Sequence, residues 1–226
     1  MSTFSLLEKM KSDESKISLI HDILLVIFGV TAIGLGLFCV SGTWPAIVAV
    51  ESESMVPNIN VGDLIFVIEK NRSGPLMTGV EAEATGVKSI NNYGDVIIYQ
   101  PNGNPKVTPI IHRALREINE SEALAMHFTG DAAHAGYITK GDNNSAIDQG
   151  SIFRNDVGPI QPIKKEWIVG KALFSIPLVG YLPLHIRETA LLVGVILVIR
   201  ELYNRMRKKE KEAAMRYQKK GKGGRK

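Results

Sequence analysis

Ser54 is the first residue of this chain whose surroundings suggest chemistry rather than structure. It stands in "SESMVP" (52–57), where three polar residues in a row precede a short apolar stretch. An exposed loop would favour Gly, Asn or Asp, and a core strand would not accept three consecutive polar side chains. A serine acts as a nucleophile when a base lies within hydrogen-bonding reach and a third group orients that base. We therefore interpret Ser54 as a candidate nucleophile.

Two further segments could supply the base and the group that orients it. His112 stands in an otherwise apolar strand, "PIIHRAL" (109–115), and an arginine follows it at once. Asp142 and Asp148 lie six residues apart in "YITKGDNNSAID" (137–148), a polar loop that leaves a strand. Each has a structural alternative, because a half-buried histidine can simply be hydrogen-bonded and Asp-Asn-Asn makes good turns. The residue types allow a Ser-His-Asp site, in a chain order that differs from three known orders of serine hydrolases.

Other chemistries find little support in the sequence. It has no Gly-rich phosphate loop, no zinc-binding helix with paired histidines and no cysteine cluster. The one cysteine, Cys39, lies inside an apolar segment, which excludes disulfides, cysteine-based metal sites and thiol chemistry. We predict neither a metal site nor another cofactor.

The elements that must position the candidate residues are mostly β-strands. Two β-branched runs each open with Gly-Asp, which is a turn signal. Residues 71–92 are Gly-rich, polar and aperiodic, which predicts a long loop or insertion. No helix of ten or more residues is predicted between residues 50 and 180, so the domain at 45–184 is predicted to be a mainly β barrel or sandwich. The predicted strands are "GDLIFVIE" (62–69), "GDVIIYQ" (94–100), "KVTPIIHRALREI" (106–118), "ALAMHFTG" (123–130), "GYITKG" (136–141) and "EWIVGKALFSI" (166–176).

A long apolar segment precedes this domain. Residues 23–40, "ILLVIFGVTAIGLGLFCV", run for 18 residues without a charge. About 20 apolar residues span a bilayer core, whereas a cleavable signal peptide has an apolar region of only about 7–15. A buried core helix would show polar periodicity, and this segment has none. We predict a transmembrane anchor over residues 19–42, with Trp44 at the membrane interface and Pro45 as the helix stop.

The second apolar run, at residues 190–199, is too short to span a membrane alone. A helix over residues 185–204 could span it if its charged ends reach the interface, and a surface or re-entrant helix is the alternative. Residues 200–226 hold 12 Lys or Arg against 3 Asp or Glu, whereas residues 45–184 hold 11 against 15. Because basic flanks mark the cytoplasmic side, we predict a second transmembrane helix at 185–204.

This charge pattern orients the C-terminal tail, whereas the N-terminal residues carry balanced charges and are placed on the same side by the two predicted spans. The N-terminal residues 1–18 and a basic tail at 205–226 are predicted to be cytoplasmic, with residues 45–184 extracytoplasmic. Beside a membrane helix, the basic tail is predicted to contact anionic lipid rather than nucleic acid.

The segments together resemble the type I signal peptidases, in their archaeal and endoplasmic-reticulum branch. The resemblance covers roughly residues 20–200. A serine-x-serine-Met motif after a membrane anchor, then His-Arg, then Gly-Asp-Asn-Asn with a second aspartate six residues on, is a specific combination. The segments that carry it are "SESMVPNINVGDLIFV" (52–67), "IIHR" (110–113), "YITKGDNNSAID" (137–148) and "IVGKALFSIPLVGYLP" (168–183).

The resemblance implies a role for each candidate residue. Ser54 would be the nucleophile, and His112 stands where the bacterial branch has a lysine base. Asp148 would be the third member of the catalytic group, with Asp142 as a supporting acidic residue, although either could orient His112. The hydroxyl of Ser52, the first serine of the motif, and the backbone N–H of Ser54 would stabilise the oxyanion.

One position departs from the family pattern. Glu53 replaces the glycine usual between the two serines, giving "SES" rather than "SGS". Glycine would let the backbone adopt positive φ or approach a substrate closely. Glu53 therefore indicates either a differently shaped, more acidic entrance or a side chain that points to solvent.

The implied function is that of a membrane-bound serine endopeptidase that removes N-terminal signal peptides from secreted and membrane preproteins after small residues. It would act in the cell membrane or an endoplasmic-reticulum-type membrane, with accessory subunits or a secretion translocon as candidate partners. The substrate would pair with a strand edge, and strand residues such as Ile65, Val67, Ile110 and Ile111 could line its side-chain pockets.

Two alternatives belong to other classes. A non-catalytic, membrane-anchored binding subunit of a signal-peptide processing complex should have lost at least one of Ser54, His112 and Asp148. A self-cleaving repressor-type peptidase would use a lysine base and would be soluble, which the predicted anchor and His112 count against.

Overall fold

The structure is a computed structural model that describes residues 3–152 and 157–223. The chain divides after Gly180 into two compact units. In chain order the helices are α1 (Thr3–Ser41), α2 (Gly79–Thr85), α3 (Glu120–Ala125), α4 (Tyr181–Leu184) and α5 (Ile186–Gly223). The strands are β1 (Ile47–Ala49), β2 (Leu64–Ile68), β3 (Lys88–Ser89), β4 (Asn92–Tyr93), β5 (Val96–Tyr99), β6 (Ile110–Ile118), β7 (Gly136–Lys140) and β8 (Ile168–Ile176).

Helix α1 contains the apolar segment predicted to be an anchor. Its stretch Ile23–Ser41 is the one helical stretch in the described part of the chain that is long and apolar enough to cross a membrane. Its large apolar side chains are exposed rather than packed on the β domain. The helix ends earlier than predicted, because Gly42 adopts a left-handed φ of 74° and its N–H binds the carbonyl of Phe38. Pro45 is therefore not the residue that stops it.

Six strands form one antiparallel sheet in the order β1-β2-β8-β5-β6-β7, and β3 and β4 form a separate hairpin. This confirms the mainly β fold and five of the six predicted strands. The predicted strand at 123–130 is wrong. Asn119 and Glu122 form a capping box that starts α3 instead, and His127 then takes a positive φ of 67° that an extended strand does not allow.

Residues 71–92, predicted to be a long loop or insertion, contain regular elements. Thr78 and Glu81 form a second capping box, which starts the short helix α2. Gly86 ends that helix in a left-handed conformation, and β3 and β4 follow as a hairpin. The segment is therefore an ordered excursion that packs α2 on β6.

The core lies on both faces of the sheet. All four residues of β5 are buried, and they alternate between two clusters. Val96 and Ile98 pack with Met55 and Ile59, which follow Ser54 in the chain. Ile97 and Tyr99 pack on the other face in a second cluster. The two candidate segments around Ser54 and His112 are therefore both anchored to the central strands.

The second unit consists of α4 and α5. Helix α5 is continuous from Ile186 to Gly223, so it includes all but the first residue of the predicted span at 185–204 and most of the predicted tail at 205–226. Within the described residues, only the stretch in α1 meets the length and apolarity of a membrane span. The second transmembrane helix stays a prediction.

Candidate active site

Ser54 is held at the surface by the residue that follows it. The Met55 side chain is 1% exposed and inserts into the core cluster. The carbonyl of Met55 accepts the backbone N–H groups of Asn58 and Ile59, each at 3.0 Å, which closes a tight turn. Ser54 itself is only half-buried, and its Oγ lies 3.2 Å from the Oγ of Ser52. Because Met55 is buried in the core and Ser54 is not, the candidate nucleophile lies at the edge of the core.

Gly141 allows the loop at 141–144 to lie against both Ser54 and His112. The backbone N–H of Asn143 donates to the carbonyl of Ser54 at 2.8 Å. A Cβ built on Gly141 would lie 2.6 Å from the Ser54 carbonyl oxygen and 2.9 Å from His112 Nε2. Real Cβ atoms do not come this close to other atoms. Glycine is needed here because of this close approach, which brings both the Ser54 carbonyl and His112 Nε2 close to Gly141.

His112 is paired with Asp148. Its Nδ1 lies 2.7 Å from Asp148 Oδ2, and both residues are buried. An ionised carboxylate only accepts hydrogen bonds, so Nδ1 carries the proton and donates it. Nε2 is then left with its lone pair, on the side of the ring that faces Gly141 and the Ser54 carbonyl. This tautomer is the one a general base needs.

Two hydroxyl groups share the same carboxylate oxygen. Asp148 Oδ2 accepts from the Tyr99 hydroxyl at 2.8 Å and from Thr139 Oγ1 at 2.6 Å. Burial alone would raise the pKa of the Asp148 carboxyl, but the hydrogen bond and charge of His112, with these two hydroxyls, hold that pKa below its ordinary value. Burial and the nearby Asp148 charge raise the pKa of the Tyr99 phenol well above its ordinary value. Tyr99 therefore stays protonated and donates.

Asp142 has different partners. Its two oxygens accept a bidentate ion pair from Arg113, at 2.7 Å from Nε and 2.7 Å from Nη2. Asn58 Nδ2 donates to it at 2.8 Å. Among the described residues, no hydrogen bond joins Asp142 to His112. The structure thus brings Asp148, not Asp142, to the histidine, and Asp142 ties the loop to β6 and to the turn after Ser54.

A cavity of about 740 Å³ opens beside these residues. Ser52, Ser54, His112 and Asp148 all line it, together with the whole of β1. Most of its remaining wall is apolar. Ile110 and Ile111 contribute to that wall as predicted. The prediction for Ile65 and Val67 is wrong, since both are fully buried in the core beneath the cavity.

The backbone at Ser54 and Glu53 bears on two features of the motif, namely the predicted oxyanion donor and the replacement of glycine by Glu53. In the described part of the chain, no acceptor takes the N–H of Ser54, so this donor is available beside the Ser52 hydroxyl. Glu53 is exposed and is not among the described non-glycine residues with positive φ. The backbone conformation at this position therefore does not require the family's glycine.

Comparison with curated proteins gives a consistent result. The chain is 31% identical over 153 residues to the signal peptidase complex catalytic subunit SEC11 of Saccharomyces cerevisiae, covering 68% of this chain and 72% of that protein. It is 29% identical over 171 residues to the SEC11 subunit of Colletotrichum graminicola, covering 73% of this chain and 81% of that protein. The chain belongs to the SEC11 family of signal peptidases. This confirms the resemblance to the endoplasmic-reticulum branch. No family model matches the chain.

The sequence of this signal peptidase did not point to Tyr99 or Thr139. Both lie in ordinary-looking strand segments, and only the order of β5, β6 and β7 brings them to Asp148. Gly141 belongs to the "GDNN" motif, but its role depends on distances that no sequence pattern contains. The pairing of Arg113 with Asp142 had one signal, since a charged residue next to His112 in a buried strand needs a partner.

Proposed function

We propose that this SEC11 family member is a membrane-bound serine endopeptidase that cleaves signal peptides from secreted and membrane preproteins after small residues. One observation supports the serine mechanism above the others. Ser54, His112 and Asp148 come from distant parts of the chain, yet all three line one cavity, with His112 Nδ1 2.7 Å from Asp148 Oδ2.

Acylation would begin at Ser54. His112 Nε2 takes the proton of the Ser54 hydroxyl while Oγ attacks the carbonyl carbon of the scissile peptide bond. In the described residues, the hydrogen bond of Ser54 Oγ is to Ser52, so His112 must close on Oγ when substrate binds. Collapse of the tetrahedral intermediate breaks the C–N bond. The imidazolium gives its proton to the leaving amine, and the signal peptide stays bound as an ester on Ser54.

Deacylation repeats the same steps with water. His112 takes a proton from the attacking water and returns it to Ser54 Oγ, which releases the signal peptide carboxylate. In both halves, the backbone N–H of Ser54 and the hydroxyl of Ser52 would donate to the oxyanion. Asp148 would keep Nδ1 protonated and would stabilise the positive imidazolium.

The substrate would bind along β1. This strand has β2 on one side and no described strand on the other, so its second edge can pair with an extended peptide. All three β1 residues line the cavity, as do Ile110 and Ile111. A mostly apolar wall close to the nucleophile favours apolar side chains next to the cleaved bond.

Membrane placement completes the proposal. The exposed apolar stretch Ile23–Ser41 supports an anchor, and Ser54 follows its end by only 13 residues. We propose an endoplasmic-reticulum-type membrane or cell membrane, with the β domain at 45–184 outside the cytoplasm. The N-terminal residues 1–18 and the basic tail at 205–226 would be cytoplasmic, with a second span at 185–204. The relatives are named as subunits of a signal peptidase complex, so accessory subunits are proposed partners.

Purified full-length protein in detergent tests this proposal on a preprotein with an Ala-x-Ala cleavage site. Wild type should release the mature chain, and Ser54→Ala should not. Ser145→Ala is the matched control, because Ser145 is an exposed serine of the loop that packs on Ser54, and this variant should cleave like wild type. Equal cleavage by Ser54→Ala would refute a Ser54 nucleophile. A folded wild type that binds the preprotein without cleaving it would favour the binding-subunit alternative.

A further inference from the structure

Tyr99 and Thr139 surround Asp148 in a way that the triad alone does not require. Three donors converge on one oxygen, Asp148 Oδ2: His112 Nδ1 at 2.7 Å, the Tyr99 hydroxyl at 2.8 Å and Thr139 Oγ1 at 2.6 Å. Tyr99 and Thr139 are both fully buried. Neither hydroxyl can exchange its bond to the carboxylate for a bond to bulk water.

The sheet builds this arrangement from three neighbouring strands. Tyr99 on β5 pairs with Ile110, and Thr139 on β7 pairs with Ala114. Ile110 and Ala114 flank His112 at two residues on either side, so they share its face of β6. Tyr99 and Thr139 therefore reach the carboxylate from opposite sides of the histidine.

Gln149 sets the direction of the Thr139 hydroxyl. Its Nε2 donates to Thr139 Oγ1 at 3.1 Å, while its Oε1 accepts the backbone N–H of Thr139 at 2.9 Å. With one lone pair engaged by an amide donor, the single hydroxyl proton of Thr139 is directed to Asp148. The Tyr99 hydroxyl lies 3.4 Å from Thr139 Oγ1 but only 2.8 Å from Asp148 Oδ2, so its proton goes to the closer, charged carboxylate oxygen. The hydroxyl protons of Tyr99 and Thr139 are thus both directed to Asp148 Oδ2.

We propose that Tyr99 and Thr139 are positioning residues that hold Asp148 as an ionised acceptor and thereby fix His112 in the tautomer with a free Nε2. This role rests on the proposed function. Asp148 Oδ2 already accepts from three donors, which favours the ionised form because a proton on this oxygen would face three others. Hydrogen bonds from the two hydroxyls also offset part of the negative charge of the Asp148 carboxylate. They therefore limit how strongly Asp148 stabilises a proton on the imidazole. They would set both the geometry of the base and the pH at which it becomes free.

Tyr99→Phe tests this proposal, since it removes one hydroxyl and keeps the ring that fills the core. We expect kcat to fall about 10-fold, the lower end of the loss seen when hydrogen-bond partners of metal ligands are removed, with KM within about twofold. The acid limb of the kcat/KM profile should move to higher pH, because Asp148 then holds the imidazole proton more tightly. Tyr137→Phe is the matched control. Tyr137 is buried in the same core cluster, and among the described residues its hydroxyl makes no hydrogen bond to Asp148.

Thr139 provides the second variant if Tyr99→Phe does not fold. Thr139→Ser keeps the hydroxyl and should retain kcat and the pH profile, whereas Thr139→Ala should lower kcat and shift the acid limb like Tyr99→Phe. The proposal is overturned if folded Tyr99→Phe or Thr139→Ala matches wild type in both kcat and pH profile. It is also overturned if KM alone changes. Ser54→Ala is assayed alongside: cleavage by that variant would mean that the proposed function itself fails, whereas its inactivity beside an unchanged Tyr99→Phe refutes only the positioning role.

Discussion

Two adjacent residues of β6, His112 and Arg113, each pair with an aspartate of the same loop at the same distance. His112 Nδ1 lies 2.7 Å from Asp148, and Arg113 Nη2 lies 2.7 Å from Asp142. Neighbouring residues of a strand point to opposite faces of the sheet, so the two pairs lie in different surroundings. Both pairs are buried, and by distance or burial alone they could not be told apart.

The atoms that remain unengaged distinguish the two pairs. All three nitrogens of Arg113 are used, since Nη1 and Nη2 also donate to backbone carbonyls of residues 89–94. An arginine cannot give up its proton, and this one has no donor left for a substrate. Among the described residues, His112 Nε2 has no hydrogen-bond partner, and His112 lines the cavity. The comparison teaches that the Arg113 pair fastens the β3–β4 hairpin and the loop, whereas the His112 pair leaves one atom ready to react.

His112→Ala should have the largest effect. Loss of the base should lower kcat by about 10⁶-fold, as removal of a triad histidine does elsewhere. Preprotein cleavage under single-turnover conditions measures this change, with unfolding in detergent as a check that the variant is folded. A loss smaller than about 100-fold would mean that another group serves as the base.

Gly141→Ala should have a smaller effect, because the loop approaches Ser54 and His112 closely at this point. The new Cβ would meet the Ser54 carbonyl and His112 Nε2, so the nucleophile and the base must move apart. A displacement of about 1 Å costs roughly 10²-fold in kcat. Ser145→Ala, in the same loop but exposed, should not change the rate. Wild-type kcat in folded Gly141→Ala would show that the close approach does not matter.

Arg113→Met should affect stability more than chemistry. It leaves Asp142 buried without a cation, which costs about 3–5 kcal/mol of unfolding free energy. Arg116→Met is the control. Arg116 lies on the same strand and pairs with Glu122 of α3, and since their side chains are 42% and 45% exposed this pair should contribute at most about 1 kcal/mol. We expect the folded fraction of Arg113→Met to keep kcat within about 10-fold. A stable but inactive Arg113→Met would contradict the fastening role.

The smallest expected effect concerns pH. Asp148 has a lower pKa in the folded protein than its ordinary value of 3.8, so its ionised form stabilises the fold above that value. This stability is lost as the pH falls through the lower, folded pKa. The unfolding free energy of wild type should therefore exceed that of Asp148→Asn at pH 7, with a difference that shrinks below about pH 4. Denaturant unfolding from pH 7 to pH 3 measures it, and a difference that grows toward low pH would have the wrong sign.

Much of the fold could be predicted from the sequence, because β-branched runs opened by Gly-Asp are strong local signals. The strand predicted at 123–130 failed where a capping box and a positive φ at His127 outweighed apolar content. The capping box at Thr78 was equally readable in the sequence, but the prediction of a long loop or insertion at 71–92 did not use it. Both errors therefore fall where the sequence contains a capping box that the prediction did not use.

The residues of the site could be predicted from the sequence, but which aspartate pairs with His112 could not. Motif spacing identified Ser54, His112 and both aspartates. It could not assign Asp148 to His112, because that depends on which face of β6 each residue occupies and on the path of the loop. Tyr99 and Thr139 reach Asp148 only through the order of strands β5, β6 and β7, which no local pattern contains.

Asparagine substitutions at the two aspartates, measured side by side, test the central claim most directly. For each variant, kcat on a preprotein and the unfolding free energy are determined in the same detergent. We predict that Asp148→Asn lowers kcat by about 10⁴-fold and costs less stability than Asp142→Asn, since the wrong histidine tautomer is the main consequence. Asp142→Asn should lose several kcal/mol of stability while its folded fraction retains far more activity than Asp148→Asn. The reverse pattern, with Asp142→Asn inactive but stable and Asp148→Asn active, would contradict the assignment of Asp148 to the catalytic group.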